Sequence, residues 1–349
     1  MNVLLSCAGR RYYLVDYFVE ALNGAGRVVG TDMDLTAPAL VKCDQGRLVP
    51  AVSAPDYLEC LIDVILEEQI QMVFSLNDLE LEMLSRSRDL IEARTGATVY
   101  VGPPASTAIG ADKWLTFEFA TRHNIPTPAT YLDVESARAA IATGECASPL
   151  IVKPRWGSAS IGLVRVEAVD ELDAAYNACR EAVAGSALAA LGTDRAVVIQ
   201  ERVSGSEYGV DLLYGRNEEF IGFTAKRKLA MRAGETDKAV TVDPDLFQSS
   251  VNRIAKNLPH RGNLDCDFLE RDGELLLLEI NPRFGGGYPF THLAGANHVS
   301  ILLADYSGRP LPSYGYDIGR TFAKYDQLTE TPTRLAESAP RLRHKVHEG

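Results

Sequence analysis

The chain has 349 residues, 46% of them hydrophobic and 23% charged, and a formal net charge of −12. That length gives room for two or three domains with a sizeable core. The acidic balance excludes general nucleic-acid or anionic-membrane binding, because the long-range field repels phosphate backbones, while a local basic cluster can still hold a small anion.

The first hundred residues alternate strand and helix. Val3-Leu-Leu-Ser-Cys7 reads as a strand, followed by Ala8-Gly-Arg-Arg11 and a helix whose apolar positions Leu14, Tyr17, Phe18, Ala21 and Leu22 share one face. Further strands are expected at Val28–Thr31, Met72–Leu76 and Thr98–Gly102, which makes this part a doubly wound α/β domain over residues 1–110. Such sheets bind ligands at the carboxyl ends of their strands, here carrying Gly9, Arg10, Arg11, Asp32, Asn77 and Asp78. A dinucleotide site is not expected, since its fingerprint needs three spaced glycines after the first strand and only Gly9 is present.

Gly102-Pro-Pro104 marks a boundary, after which a helix runs from Asp112 to about His123. Residues Leu150–Val166 read as two β-branched runs joined by a small-residue loop, Gly157-Ser158-Ala-Ser160-Ile-Gly162, with Lys153 on the first run. Small residues expose backbone N–H groups that can fold over phosphates, and Lys153 adds a point charge, although an ordinary hairpin has the same appearance. A helix near Asp170–Ala184 completes a second unit, 111–195. Ala196–Val203 and Gly205–Leu213 are strands that open a third, 196–315. Backbone groups near Glu201, Arg202 and Val203 could meet an adenine edge and Glu207 a ribose hydroxyl, or these residues could simply be solvated. Lys226, Arg227, Lys228 and Arg232 concentrate positive charge on an acidic chain.

Asn263–Glu270 and Leu275–Asn281 are expected to pair through Arg271-Asp-Gly273. A three-residue loop with Gly273 left-handed, the option adopted here, places Asp267 and Glu279 on one face; a two-residue Asp-Gly turn places them on opposite faces. Glu279, Asn281 and Arg283 are two apart, so an extended chain presents them together. A carboxylate and an amide oxygen suit Mg2+, an Arg fork suits a phosphoryl oxygen, and three following glycines allow close backbone approach to a ligand. Beyond Leu303 the chain turns polar, and 316–349 is expected to be an extension that is mobile in part. The six cysteines, Cys7, Cys43, Cys60, Cys146, Cys179 and Cys266, are scattered without zinc or Cys-x-x-Cys spacing and read as buried thiols of a reducing cytoplasm. No apolar run approaches membrane-span length, and no export signal is expected.

Taken in order, Lys113, Lys153 with its loop, Gln200-Glu-Arg-Val203, Glu207, Asp267, Glu279 and Asn281-Pro-Arg283 resemble the motifs of ATP-grasp enzymes, above all the synthetase half of carbamoyl-phosphate synthase large subunits and related single-chain ligases. The resemblance covers about residues 1–315. It implies an N-terminal α/β domain, then an ATP-grasp fold made of a small lid domain and a larger C-terminal α+β domain, with ATP between the last two. Carried over, Lys113 and Lys153 look like phosphate-binding lysines, Glu201 and Val203 like the adenine hinge, and Glu207 like the ribose acceptor. Asp267, Glu279 and Asn281 look like ligands of Mg2+, with Mn2+ as an alternative. Arg283 looks like the arginine that steadies the transferred phosphoryl group. Asp267 stands where the synthases usually have Gln or Glu, and only one grasp unit exists, so complete carbamoyl-phosphate synthesis is not expected. The expected activity is ligation of a small carboxylate to an amine through an acyl phosphate. A nucleotide-binding regulator and a kinase that stops at phosphorylation are the other readings, and a homodimer is left open. Lys153, Arg283 and Arg232 are the expected catalytic cations, with the Lys226–Arg232 cluster facing the cleft of Glu279 and with Arg10 and Arg11 at its outer wall.

Overall fold

The computed structural model describes residues 1–157, 162–186, 188, 189, 192 and 194–332. The first sheet is built from β1 (Asn2–Ser6), α1 (Tyr12–Leu22), β2 (Val28–Asp32), α2 (Pro38–Lys42), β3 (Gln45–Leu48), α3 (Tyr57–Glu67), β4 (Ile70–Ser75), α4 (Asp78–Thr95) and β5 (Thr98–Val99). Its strands are all parallel, in the order β3-β2-β1-β4-β5. Strand order reverses about β1, so a crevice opens at the carboxyl ends of β1 and β4, where the Cys7–Arg11 and Leu76–Asp78 segments emerge. Local chemistry sets both helix starts and stops. Asn77 caps α4 by accepting from Leu79 N at 3.0 Å, and α1 ends where Asn23 turns left-handed.

Two helices, α5 (Pro104–Ala111) and α6 (Lys113–Arg122), lead into a four-stranded antiparallel sheet. Its elements are β6 (Thr130–Tyr131), α7 (Val134–Thr143), β7 (Leu150–Pro154), β8 (Val164–Val166), α8 (Leu172–Ala184) and β9 (Val197–Glu201), with strand order β6-β9-β7-β8. Leu150, Val152, Val166, Cys179 and Ile199 form its core. The loop residues Ser158 and Ser160, both expected to touch phosphate, lie outside the described residues.

The third sheet holds β10 (Glu207–Tyr214), β11 (Phe220–Arg232), β12 (Glu235–Thr241), β13 (Gly262–Arg271), β14 (Glu274–Asn281) and β15 (Thr321–Ala323) in the order β14-β13-β10-β11-β12-β15. Helix α9 (Gln248–Asn257) packs on one face, and α10 (Tyr288–His292) and α11 (His298–Tyr306) carry the chain back to the first sheet. The described part of the C-terminal extension supplies the edge strand β15; residues 333–349 lie outside the described set. Leu14, Phe18 and Phe74 share one core with Phe284, Tyr288 and Leu302. Burying Phe284 contributes about 2–3 kcal/mol and fixes Arg283, one residue before it, at the seam of the first and third sheets. All six cysteines are free thiols; Cys146, Cys179 and Cys266 are buried and the other three are half-buried. No helix among the described residues is long and apolar enough to cross a membrane.

Candidate active site

The β13–β14 hairpin turns on two residues, not three. Asp272 (φ 51°) and Gly273 (φ 83°) both have positive φ, and Arg271 pairs directly with Glu274, the geometry of a tight primed turn. Continued without interruption, that register would pair Asp267 with Leu278 and turn Glu279 to the opposite face. The register shifts between Phe268 and Asp267: Leu278 bulges out, Asp267 pairs with Glu279, and Asp265 pairs with Asn281. The four side chains therefore share one face, as expected for Asp267, Glu279 and Asn281, through a bulge and not through the turn. The bulged edge is covered, since Leu277 N donates to Pro126 O at 2.7 Å and Leu277 O accepts from Thr127 Oγ1 at 2.8 Å.

Two lysines approach the same region from the second unit. Lys113 opens α6 just after Asp112, which caps that helix, and Lys113 Nζ donates to Gly157 O at 2.7 Å. Lys153, on β7, donates from Nζ to Gln200 Oε1 on β9 at 2.8 Å. Burial and the charge of Lys113 pull the Lys153 ammonium down to about 8, opposed by Glu279. Burial lowers Lys113 as well, again opposed first by Glu279. Asp112 also accepts from Arg155 Nε at 2.8 Å and Trp156 Nε1 at 3.1 Å, tying the helix start to the strand that leads into the loop. Gly157 has φ +85°, and a Cβ there would meet Leu188 at 2.6 Å, so this end of the loop requires glycine; Gly162 (φ +65°) closes the other end.

At the hinge between the second and third sheets, Glu201 N donates to Ala129 O at 2.8 Å and Arg202 N to Pro149 O at 3.0 Å. These two N–H groups are spent on the protein, which corrects their expected freedom to read a base. The Val203 N–H takes part in no hydrogen bond among the described residues. Side chains here are paired too: Glu201 with Arg271 at 2.6 Å and Arg202 with Glu167 at 3.1 Å. Lys228 joins Glu207 and Asp267, its Nζ 2.7 Å from a carboxylate oxygen of each. The two carboxylates hold its ammonium well above the ordinary range although burial opposes them.

A cavity of about 200 Å³ is lined from the first sheet by Arg11 and from the third by Lys226, Lys228, Asp265, Asp267, Glu279, Asn281 and Arg283, among others; Lys113, Lys153 and the hinge residues are not part of its lining. Burial and the neighbouring Asp265 and Glu279 charges raise the Asp267 carboxyl well above the usual range. Arg283 forms a two-pronged pair with Asp78 at the start of α4, Nε–Oδ1 2.6 Å and Nη2–Oδ2 2.7 Å. Arg11 donates to the Phe284 carbonyl. The three glycines expected to admit a ligand instead admit the protein's own charges. A Cβ on Gly285 would strike the Asp265 carboxylate at 2.3 Å, one on Gly286 would lie 3.1 Å from that of Glu235, and one on Gly287 would meet Lys226 Cε at 2.4 Å.

The expected basic cluster divides. Lys226 and Lys228 line the cavity, but Lys226 is committed to Asp211 at 2.7 Å in a fully buried pair. Arg227 and Arg10 are exposed. Arg232 does not reach the cavity: half exposed, it pairs with Asp237 at 3.1 Å and Asp326 at 2.7 Å. The cause is again a break in register. Strict alternation would set residues 226, 228, 230 and 232 on one face, but the register shifts twice, between Lys228 and Ala230 and between Ala230 and Met231, so the half-exposed Met231 borders the cavity and Arg232 turns outward. Asp265, Asp211 and Glu235 were missed from the sequence, although Asp265-Cys-Asp267 carries the two-residue spacing that signals a shared face.

For a divalent metal, Asp267, Glu279 and Asn281 offer two carboxylates and an amide oxygen, the donors a hard cation takes. The two carboxylates are opposed, Asp267 buried and Glu279 half-buried, and the Glu279 charge helps to raise Asp267, which a cation between them would relieve. They fit Mg2+. Among the described residues no group of three or more His, Cys, Asp and Glu is arranged as a metal cluster.

A model of the ATP-grasp domain matches residues 110–287, and a model of the PylC-like N-terminal domain matches residues 3–99. The chain is similar to the vancomycin/teicoplanin A-type resistance protein VanA of Enterococcus faecium, 29% identical over 195 residues, covering 50% of this chain and 53% of that protein. It is similar to phosphoribosylamine–glycine ligase of Pseudomonas aeruginosa, 25% identical over 317 residues, covering 82% and 68%. The chain spans about half the length of the first curated relatives it matches. In fold it is similar to the biotin carboxylase domain of Hydrogenobacter thermophilus 2-oxoglutarate carboxylase, solved with MgADP, ADP and bicarbonate, at TM-score 0.71 and 17% identity, over 91% of this chain and 72% of that one.

Proposed function

The chain belongs to the ATP-grasp family, and on that premise we propose that it is an ATP-dependent carboxylate–amine ligase releasing ADP and phosphate. The observation that carries the reading is the convergence of Asp267, Glu279 and Asn281 on one strand face, with Lys113 and Lys153 acting on Glu279 from the facing unit. In this reading Lys113 and Lys153 hold the nucleotide phosphates, and the Val203 N–H at the hinge and Glu207 hold the nucleoside. Asp267, Glu279 and Asn281 would hold Mg2+, or Mn2+, which would supply charge neutralisation for the phosphate groups. A substrate carboxylate oxygen attacks the γ-phosphorus. Lys153 and Arg283 stabilise the charge that moves onto the transferred group, and positioning does most of the catalytic work. An amine then displaces phosphate from the acyl phosphate. Small-molecule substrates, a cytoplasmic setting and a homodimer complete the proposal.

Hydroxylamine trapping tests it. With MgATP and pooled carboxylates, the ligase yields ADP and a hydroxamate. A stable phosphorylated product would make the protein a kinase, and nucleotide binding without turnover would make it a sensor.

A further inference from the structure

Helix α4 begins with the series Asn77-Asp-Leu-Glu80, which reads as a capping box: an N-cap residue followed three positions later by a glutamate that turns back to the N-cap N–H. Only half of the box forms. Asn77 caps Leu79 N, but its own N–H donates to Ser75 Oγ at 3.3 Å, and Glu80 turns into the sheet, 0% exposed. There its carboxylate gathers hydroxyls from three elements. Oε1 accepts from Ser6 at 2.6 Å and from Tyr57 at 2.7 Å, and Oε2 accepts from Ser75 at 2.6 Å. Thr31 extends the set, its hydroxyl donating to Ser6 Oγ at 3.1 Å. Ser6 and Ser75 are the last residues of β1 and β4, and Thr31 is next to last in β2, so one carboxylate ties the carboxyl ends of three neighbouring strands together. None of its partners is a cation. A buried carboxylate answered only by neutral hydroxyls is a poor source of stability beside an apolar side chain of similar size, and what it adds is directional order.

We infer that Glu80 is a positioning residue, which aims Arg283 by fixing Asp78. The inference rests on the ligase reading. Asp78 lies two residues before Glu80 in the same first turn of α4 and takes both prongs of the Arg283 guanidinium. The only other hydrogen bond of that guanidinium among the described residues goes to the carbonyl of its own neighbour, Phe284, so Asp78 alone sets its direction from outside the third sheet. Residues two apart on a helix point about 200° from each other. Glu80 therefore holds the helix start from the sheet side while Asp78 presents its carboxylate from the opposite side, and any slip of the anchored turn moves Asp78 with it. Without Glu80 that turn would be held by the Asn77 cap and its packing, and a charge displaced by about 1 Å can cost up to about 10²-fold in rate. Arg283 meets its charge as the phosphoryl group moves, so the contribution of Glu80 falls on kcat and not on nucleotide affinity.

Hydroxamate formation by the full chain, with MgATP, hydroxylamine and first pooled carboxylates, then the one that reacts, gives kcat; calorimetric titration with MgADP gives the nucleotide Kd. Glu80→Leu should lower kcat about tenfold and leave the MgADP Kd within about twofold. In an Asp78→Ala background the same replacement should cost less than about twofold, because nothing is left for it to aim. Glu80→Gln should restore kcat to within about threefold of wild type. Its Oε1 can accept from Ser6 and Tyr57 while its amide donates to Ser75 Oγ, whose own hydroxyl already has the Asn77 carbonyl at 3.3 Å. A residue that serves the fold alone would show neither the dependence on Asp78 nor a loss confined to kcat. Where Glu80→Leu does not fold, Ser75→Ala decides in its place, with about a threefold loss of kcat that is again absent without Asp78. Wild-type kcat in the folded variant, an equal loss with and without Asp78, an MgADP Kd that weakens in step with kcat, or a glutamine variant as impaired as the leucine one each overturn the inference. Hydroxamate formed equally well by wild type and variant would sink the inference alone, whereas a wild-type protein that forms no hydroxamate would sink the ligase reading and the inference with it.

Discussion

The β13–β14 and β11–β12 hairpins face the same cavity, and each breaks its alternation, the first once, at Leu278, and the second twice, between Lys228 and Met231. The consequences are opposite. In β14 the extra residue lies between the turn and the functional residues, so Glu279 and Asn281 arrive opposite Asp267 and Asp265. In β11 the shifts fall between Lys228 and Arg232, so the lysines stay inside and the arginine leaves. Which charges meet is decided by where the register slips, and residue type alone does not say.

The strongest way to break this comparison is to separate the bulge from the carboxylate. Glu279→Ala should lower ADP release by at least about 10²–10³-fold, the scale of losing one transition-state stabiliser. Deleting Leu278 makes the hairpin regular and still pairs Glu279 with Asp267, so the shortened protein should keep activity within about tenfold. A folded deletion variant as inactive as Glu279→Ala would show that the bulge itself is needed.

Much of this was legible in the chain. The carboxylate-amide-guanidinium series at Glu279, Asn281 and Arg283, Lys153 before its small-residue loop, and the alternating strands and helices of the first sheet each leave a local signature of period or spacing, whereas Lys113 stands out only through the family resemblance. The bulges leave none, because Leu278 and Leu229 are ordinary leucines and a period of two does not record an inserted residue. Arg271-Asp-Gly273-Glu carries the signal of a two-residue primed turn, and choosing the longer loop reached the right face by the wrong route. The pairing of Arg283 with Asp78 joins residues 205 apart, which no local pattern can foretell.

Proton titration sharpens the comparison, because the two sources of cation should respond differently to pH. Lys228, on the β11 hairpin, is held charged by Asp267 and Glu207, whereas Lys153 has no ion-pair partner among the described residues and sits at about 8. Its folded pKa lies below the ordinary value near 10.4, so folding expels a proton and stability rises with pH between about 8 and 10. A bound triphosphate favours the charged form. MgATP binding should therefore take up a proton above pH 8, its Kd rising by up to about tenfold per pH unit. Calorimetry in buffers of different ionisation heat reads that uptake. Lys153→Met should bind weakly with a flat profile, and a wild-type profile flat from pH 7 to 10 would contradict the assignment.

The smallest expected effect is the most pointed test of the β11 register. Arg232 lies on the face away from the cavity, half exposed, with Asp237 and Asp326 as its partners. Exposed pairs of this kind contribute little, because water screens them and two long side chains lose freedom in holding one geometry. Arg232→Ala should therefore leave KM for both substrates and for ATP within twofold of wild type and should barely move the melting temperature. Met231, one residue earlier, borders the cavity, so Met231→Glu places a new carboxylate beside Lys228 and Asp267 and should raise KM for the carboxylate substrate by about tenfold through like-charge repulsion. If the order is reversed, with Arg232→Ala damaging substrate binding and Met231→Glu silent, then β11 runs through the site without its bulge, and the arginine belongs inside with the lysines.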